Sequence, residues 1–307
     1  MFSYRHAFHA GSHADVLKHM MLIAILRHLT QKDTALTVVD THAGAGLYRL
    51  DSDFAATSGE AVGGVEKLFA ELAPPDASKA AIKEIAPLLQ DYLETVAAFN
   101  AGGQLKVYPG SPFIVQRLLR QEARDKLKLF ELHPTDSKVL AANVAQLQAG
   151  RQVAVAREDG FEGVKAFLPP PSRRGLVLVD PSYEIKSDYA KVSACLQDGL
   201  KRFATGTFAI WYPIIPRPEA HDLPRRLKTL ATQASRPWLQ ATLSIGQDEQ
   251  RNVPGEPDQG QGLTASGMFV INPPHSLKAG LAAALPQLLR VLGRGRGQGQ
   301  TLESGGA

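Results

Sequence analysis

The segment Gly175-Leu176-Val177-Leu178-Val179-Asp180-Pro181-Ser182-Tyr183 decides how this chain reads. A short apolar run closed by Asp-Pro is a buried strand that stops at a turn. Its end places a carboxylate, a backbone carbonyl and an aromatic ring at the carboxyl edge of a sheet, where open α/β sheets bind their ligands. Those three groups suit a flat ring bearing an exocyclic amine. Asp180 and the Pro181 carbonyl supply two acceptors for the amine hydrogens, and Tyr183 supplies a face for stacking.

Outward from this strand, helical and extended patterns alternate. Residues 12–30 carry apolar positions at helical spacing and predict an amphipathic helix capped by Ser12 or Asp15. Leu36-Thr37-Val38-Val39-Asp40 is a β-branched run ending at a glycine-rich turn. Residues 60–100 read as helices broken by Pro74-Pro75 and Pro87. Ser111-Pro112 opens a further helix. Strands are expected over 127–132, 153–156 and 207–212, with helices over 134–147, 161–168, 189–203 and 221–235. Two extended stretches, 238–245 and 266–272, follow without a full crossover between them, which predicts an antiparallel edge. Residues 246–262 read as a mobile loop, and the Gly/Arg-rich residues 293–307 as a disordered tail. The pattern predicts a mostly parallel sheet with helices on both faces.

Composition narrows the function classes. The 307 residues are 44% hydrophobic and 21% charged, ordinary for a globular protein, so one large domain or a domain with an insertion is expected. Lys and Arg number 34 against 30 Asp and Glu, a balance that permits a nucleic-acid partner without demanding one. The one cysteine, Cys195, excludes an internal disulfide and suits a reducing compartment. No apolar run reaches membrane-spanning length, and the polar, His-rich start is unlike a signal peptide. A cytoplasmic protein without a membrane partner is expected.

Three strand ends offer groups for a cofactor. Asp40-Thr41-His42-Ala43-Gly44-Ala45-Gly46 follows the first strand, and Gly44 and Gly46 let the backbone approach a ligand. The spacing is neither the dinucleotide fingerprint nor a phosphate loop, so a nucleoside without a pyrophosphate fits. A tight strand-to-helix turn without a ligand explains the same glycines. Glu131 ends the next strand and is placed to accept two ribose hydroxyls; a solvated strand-end acid is the plain alternative. Asp159, before Gly160, is placed to accept from an adenine amine or to cap a helix. Four histidines, His6, His9, His13 and His19, stand near the N-terminus, but no cysteine joins them and no metal is expected.

Several blocks carry a resemblance. They are Tyr4-Arg5-His6-Ala7-Phe8-His9-Ala10-Gly11, His13-Ala14-Asp15-Val16-Leu17-Lys18-His19, Asp40 to Gly46, Tyr108-Pro109-Gly110-Ser111-Pro112 and Glu131-Leu132-His133-Pro134. Ser172 to Gly175, Arg202 to Gly206, Trp211-Tyr212-Pro213 and Thr264 to Met268 continue the series. In this order, from Phe2 to about Pro274, they resemble the RlmJ family of bacterial 23S ribosomal RNA adenine-N6 methyltransferases. The Asp-Pro-x-Tyr motif alone is typical of methyltransferases that act on amino nitrogens.

The resemblance implies a Rossmann-like S-adenosylmethionine-dependent methyltransferase. Its mostly parallel seven-stranded sheet would have an antiparallel edge and a small helical insertion. Residues 1–50 would be the N-terminal lid helix and first strand, 51–103 the insertion, 104–292 the rest of the catalytic domain and 293–307 the tail. It implies S-adenosyl-L-methionine contacts at His19, His42, Ser111, Glu131, Asp159 and Gly160, catalysis at Asp180 and RNA contact at Tyr4. The residues themselves add Lys18, Asp40 and Gly44 on the cofactor side, and Pro181 and Tyr183 beside Asp180. Arg5, Lys18, Arg173 and Arg174 are candidate RNA contacts. The family's usual motif has proline where this chain has Ser182, so loop stiffness is the point in question. The partner implied is 23S rRNA, with no protein partner and a monomeric chain. A DNA amino-methyltransferase and a non-catalytic RNA-binding protein on the same scaffold are the alternatives.

Overall fold

The computed structural model describes residues 6–51, 59–74, 80–247 and 262–306. Eight strands form one sheet in the order β10-β8-β9-β7-β6-β1-β4-β5. Strands β1 (Thr37–Asp40), β4 (Lys126–Phe130), β5 (Val153–Ala156), β6 (Gly175–Val179) and β7 (Thr207–Pro213) run parallel. Strands β8 (Trp238–Gln247), β9 (Ala265–Ile271) and β10 (Arg296–Gly305) complete the sheet antiparallel. A separate two-stranded ribbon joins β2 (Leu47–Arg49) to β3 (Val107–Pro109). All five residues of β6 and all seven of β9 are buried, as expected of strands covered on both faces.

The chain leaves β1 toward β4 and β5 on one side, then returns to β6 and β7 on the other. The order reverses beside β1, and a crevice opens there at the carboxyl ends of the strands. Asp180 follows β6 at this edge.

Helix α1 (His13–Leu29) is capped by Ser12, whose Oγ accepts from the Asp15 N–H at 3.4 Å. The sequence predicts an amphipathic helix, but residues 13–26 are buried on every side. The cause is a second layer of helices. Helices α2 (Lys67–Leu72) and α3 (Pro87–Ala97) precede α4 (Ser111–Leu118). Helix α1 packs against α3, α4, β9 and the terminal helix α8 (Leu277–Leu292). Leu68, Leu72, Leu89, Tyr92, Leu93 and Val96 join the core cluster that contains the apolar residues of α1. The β2–β3 ribbon closes the base of the segment between them: Leu50 N–H donates to Lys106 O at 2.9 Å and Gly110 N–H to Gly46 O at 2.8 Å. Helix α5 (Pro134–Gln146) lies on the same face as α1, with Leu140 in that core cluster, and the opposite face is covered by α6 (Ser187–Arg202) and α7 (Pro218–Gln233).

Three expectations need correction. The stretch 161–168 is a helical turn, Gly160–Gly163, continued by a 3-10 turn, Val164–Phe167, and not a full helix. Helix α8, with Pro286 inside it, has no counterpart in the sequence reading. Residues 296–305 are not disordered. They form β10, paired with β8 from Arg296↔Gln247 to Gly305↔Trp238, so the sheet has eight strands and not seven. Glycine and glutamine lack apolar content, but a strand's backbone hydrogen bonds need none. Thr301 meets Thr242 at 2.7 Å between the hydroxyls, and Lys228 pairs with Glu303 at 2.6 Å. The loop expected over 246–262 falls largely on residues 248–261, outside the described ones.

Arg174 also departs from its expected RNA role. Its guanidinium donates to the carbonyls of Leu29, Lys32 and Thr34, and Arg120 donates to those of Thr30, Lys32 and Thr34. Together they satisfy the open carbonyls where α1 ends and β1 begins, at the sheet edge remote from Asp180.

Removing residues 294–307 opens the β8 edge and strips cover from Trp238, which a Cβ on Gly305 would touch at 2.7 Å. The truncated chain is expected to melt about 3 °C lower, consistent with ~1–2 kcal/mol in a chain of this size. Unchanged melting and unchanged light scattering would mean that β10 adds no stability.

Candidate active site

The site is built from strand ends. After β1, Thr41 is tied to β6 through its N–H and its hydroxyl, 3.1 and 3.0 Å from Leu178 O. Gly44 follows at φ +58°, a region that favours glycine; a Cβ there would lie 2.3 Å from the Tyr48 hydroxyl. Glu131 leaves β4 and holds this turn: Oε2 accepts the Gly44 N–H at 2.7 Å and Oε1 the His133 N–H at 2.7 Å. Burial raises its pKa, against the pull of those two N–H groups. Each carboxylate oxygen retains a further lone pair toward the cavity.

Asp159 caps the turn Gly160–Gly163, accepting from the Phe161 N–H at 2.9 Å, and also lines the cavity. The cap that the sequence offers is formed, and the same residue faces the cavity. Gly160 packs against the backbone of Thr41; a Cβ would lie 2.0 Å from Thr41 O, so no larger residue fits.

One cavity gathers Lys18, His19, His42, Gly44, Ser111, Glu131, Asp159, Gly160, Asp180 and Pro181. Nearly every expected cofactor and catalytic position therefore meets in one place. Tyr183, which lines the neighbouring cavity, and Asp40 are the exceptions. Asp40 is fully buried beneath the cavity, where Oδ2 accepts from Ser111 Oγ at 2.6 Å and Oδ1 from the His42 N–H at 3.3 Å. Its role is to set Ser111 and the turn. Burial raises its pKa from 3.8 to about 6, opposed by Ser111 and reinforced by Asp180.

Two histidines face the cavity uncharged. Burial lowers both His19 and His42 to about 3. His19 Nδ1 meets the Tyr108 hydroxyl at 2.8 Å, while its buried Nε2 has no partner among the described residues. The ring of His42 packs edge-on to Phe161, with centroids 4.7 Å apart.

Three charges meet at the far wall. Lys18 Nζ lies 2.5 Å from Asp180 Oδ2 and 2.8 Å from Asp15 Oδ1. Asp15 Oδ2 also takes His6 Nε2 and the Gly11 N–H, each at 3.0 Å. Burial alone would lower the Lys18 pKa, but the two carboxylates raise it above that of an ordinary lysine. The same burial raises Asp180, and Lys18 draws it back down. Asp180 Oδ1 and the Pro181 carbonyl accept no hydrogen bond among the described residues.

A second cavity adjoins the first. Both touch His6, Lys18, Asp180, Ser182 and Glu184, and the second continues along Trp211, Pro213, Ile214, Ile215 and Arg217. Tyr183 lies on this side, but not as the open stacking face that the motif suggests. It is 2% exposed, its hydroxyl donates to Trp211 O at 2.6 Å, and its ring lies against Tyr189 with centroids 4.7 Å apart. Trp211, next to Asp180 on the neighbouring strand, presents a partly exposed ring to the same cavity.

Sequence reasoning passed over His6, Asp15, Trp211 and Arg217 as site residues. Asp15 was legible only as a cap, and Trp211 only through its place at the end of a strand. Tyr4 and Arg5, the expected RNA contacts, lie outside the described residues. Among the described residues no group of three or more histidines, cysteines or acids is arranged to hold a metal, and no helix is long and apolar enough to cross a membrane.

An α/β sheet with this strand order, a nucleoside-sized cavity at its reversal point and Asp-Pro-Ser-Tyr at the cavity wall define a Rossmann-like S-adenosylmethionine-dependent methyltransferase. The family model described as ribosomal RNA large subunit methyltransferase D, RlmJ, matches residues 33–303, and the chain belongs to that family. It is 41% identical to ribosomal RNA large subunit methyltransferase J of Escherichia coli over 288 residues, which are 94% of this chain and 93% of that protein. It is also 41% identical to the protein of the same name from Haemophilus influenzae, over 95% of this chain and 94% of that one. A crystal structure of a Legionella pneumophila protein superposes with a TM-score of 0.80 at 28% identity, covering 97% of this chain and 98% of that one.

Two measurements test the site. Because the folded pKa of Asp40 exceeds its ordinary value of 3.8, the protonated form favours the fold. Stability is then full below pH 4 and is lost as pH rises through 6, by about 3 kcal/mol. Asp40→Asn removes this slope, so its unfolding free energy relative to the parent should climb by that amount between pH 4 and 7. A flat difference would mean that Asp40 is not a strained carboxylate. Separately, Glu131→Ala frees the Gly44 and His133 N–H groups and is expected to weaken S-adenosylmethionine binding about tenfold or more by calorimetry.

Proposed function

We propose that this protein transfers a methyl group from S-adenosylmethionine to the N6 amine of an adenosine in large-subunit, 23S, ribosomal RNA. The observation that carries this reading is the pair of adjoining cavities with Asp180 on their shared wall and Pro181 beside it on the first. One cavity suits the cofactor and the other a base.

The first cavity fits a cationic nucleoside. Its acids, Glu131, Asp136, Asp159, Asp180, Glu184 and Asp188, outnumber Lys18 and Lys191. Such a lining repels phosphate and attracts a positive sulfur centre. His19 and His42 stay uncharged and add no repulsion. Glu131 offers its open lone pairs to ribose hydroxyls, and Asp159 accepts from the adenine amine. The buried Nε2 of His19 is an orphaned polar atom that a ligand group would satisfy. The cofactor supplies an activated methyl group, so the protein's task is to present the amine in line with it.

The second cavity presents Trp211 and the apolar residues Pro213, Ile214 and Ile215 as a surface for a base taken out of its stack. Asp180 Oδ1 and the Pro181 carbonyl each accept one amine hydrogen. That bonding favours a pyramidal nitrogen and returns its lone pair, otherwise spread into the ring, for attack. Lys18 remains protonated and pulls Asp180 toward its anionic form, against the burial that raises its pKa. After transfer, the nitrogen's extra proton passes to Asp180. Tyr4 and Arg5, next in sequence to His6, are the candidate RNA contacts, and the protein acts as a cytoplasmic monomer.

Asp180→Asn tests the reading. It keeps the size of the side chain and leaves Lys18 with Asp15. Mass spectrometry of 23S rRNA is expected to show a loss of N6-methyladenosine of about 10³-fold or more in rate, with cofactor affinity within about twofold of the parent. Methylation at the parent rate would remove Asp180 from catalysis.

A further inference from the structure

The loop after β6 is held in an unusual way. Ser182 and Tyr183 make no backbone-to-backbone hydrogen bond among the described residues. Tyr183 nevertheless adopts φ +56°, a left-handed conformation that a bulky residue keeps only when other contacts hold it. Its hydroxyl is fixed to Trp211 O at 2.6 Å and its ring lies between Tyr189 and Trp211. Its main chain has one described partner: Arg217 Nη1 donates to Tyr183 O at 3.0 Å.

Arg217 is itself rigidly based. It is the cap residue of α7, with its N–H on Ile215 O at 2.7 Å and its carbonyl accepting from the Ala220 N–H at 3.0 Å. Its side chain therefore spans from a helix start to the carbonyl three residues beyond Asp180. The orientation of the Asp180 carboxylate and of the Pro181 carbonyl depends on the torsions of residues 181–183. Ser182 leaves its own φ free, and the guanidinium at Tyr183 removes the freedom that Ser182 permits.

We infer that Arg217 is a positioning residue for the reaction, locking the Asp180-Pro181-Ser182-Tyr183 loop through the Tyr183 carbonyl so that both amine acceptors point at the target. This rests on the methyl-transfer reading above. Arg217 acts through the loop and not by touching the reacting atoms. Lysine has the charge but not the rigid plane that fixes where the Nη1 donor points, so it does not replace the tie.

The experiment compares Arg217→Ala, Arg217→Lys and the double variant Arg217→Ala with Ser182→Pro. Proline at 182 restricts the same torsion from within the chain and removes an N–H that donates no described bond. Both single variants are expected to lose about tenfold in kcat, with KM for RNA and cofactor affinity within about twofold. Ser182→Pro is expected to return most of that loss in the Arg217→Ala background, which a merely destabilised fold would not allow. A readout independent of turnover uses Trp211 as the sole tryptophan in a Trp238→Phe background. Release of Tyr183 exposes the indole, so acrylamide quenching should increase in Arg217→Ala and fall back in the double variant.

Unchanged kcat in Arg217→Ala overturns the inference. So does a rise in KM for RNA alone, which would make Arg217 a phosphate contact, and so does a double variant no faster than Arg217→Ala. If the parent protein methylates no adenine of 23S rRNA, the functional reading fails by itself, while the quenching arm still decides whether Arg217 holds the loop.

Discussion

The buried ion cluster Asp15–Lys18–Asp180 is the constraint on which the rest of the site depends. Two carboxylates each stand within 2.8 Å of one ammonium, and all three side chains are largely buried. Leaving one such charge without its partner typically costs about 3–5 kcal/mol. The cluster therefore fixes the distance between α1 and the end of β6 more firmly than apolar packing alone. It also draws the N-terminal segment inward, because Asp15 takes His6 and the Gly11 N–H as well. Its low exposure is secured from outside by the helical layer over α1. A helix buried on all sides is the means by which a lysine, two acids and a histidine are brought together in a dry place.

Lys18 also explains why there are two cavities and not one. It lies on the wall common to both, with its ammonium on Asp180 Oδ2 and the aromatic face of Trp211 at 6.0 Å. The two carboxylate oxygens therefore differ: one is bound to Lys18, and the other accepts no hydrogen bond among the described residues. Burial and Lys18 act on the Asp180 pKa in opposite directions. In the proposed transfer, an acceptor that must stay ionised during attack and then take a proton is best set between those two pulls.

Much of this was legible in the residues. The parallel core was readable because β1, β5 and β6 are short apolar runs and β4 alternates lysine with apolar residues, each with turn residues behind it. The strand-end groups Glu131, Asp159 and Asp180 converge because the carboxyl ends of parallel strands lie on one edge. What stayed hidden depends on contacts between distant elements. Asp40 looks like a ligand group in sequence, yet its carboxylate is directed to Ser111, 71 positions away. Tyr183 looks like an open platform until Trp211 and Tyr189 are placed around it. Strand β10 has no apolar pattern to reveal it, since backbone pairing with β8 holds it. The α1 helix reads as amphipathic because a sequence window cannot see the second helical layer that covers its polar side.

The two halves of the site are held by different kinds of force. Around the first cavity, backbone does most of the holding. Gly160 packs on Thr41, Gly44 N–H binds Glu131, and Thr41 is bonded to β6. These contacts move only if the sheet moves. Around the second cavity, side chains reach in from far along the chain: Lys18 from α1, Trp211 from β7 and Arg217 from the start of α7. Backbone-held geometry suits a small ligand of constant shape. Side-chain-held geometry suits a base that arrives attached to a large polymer, because each side chain can yield by a torsion while the sheet stays fixed. Ser182 sits at the border between the two regimes, one residue beyond Pro181 and one before the anchored Tyr183. The acceptor pair beside it is only as well aimed as the supports on either side make it.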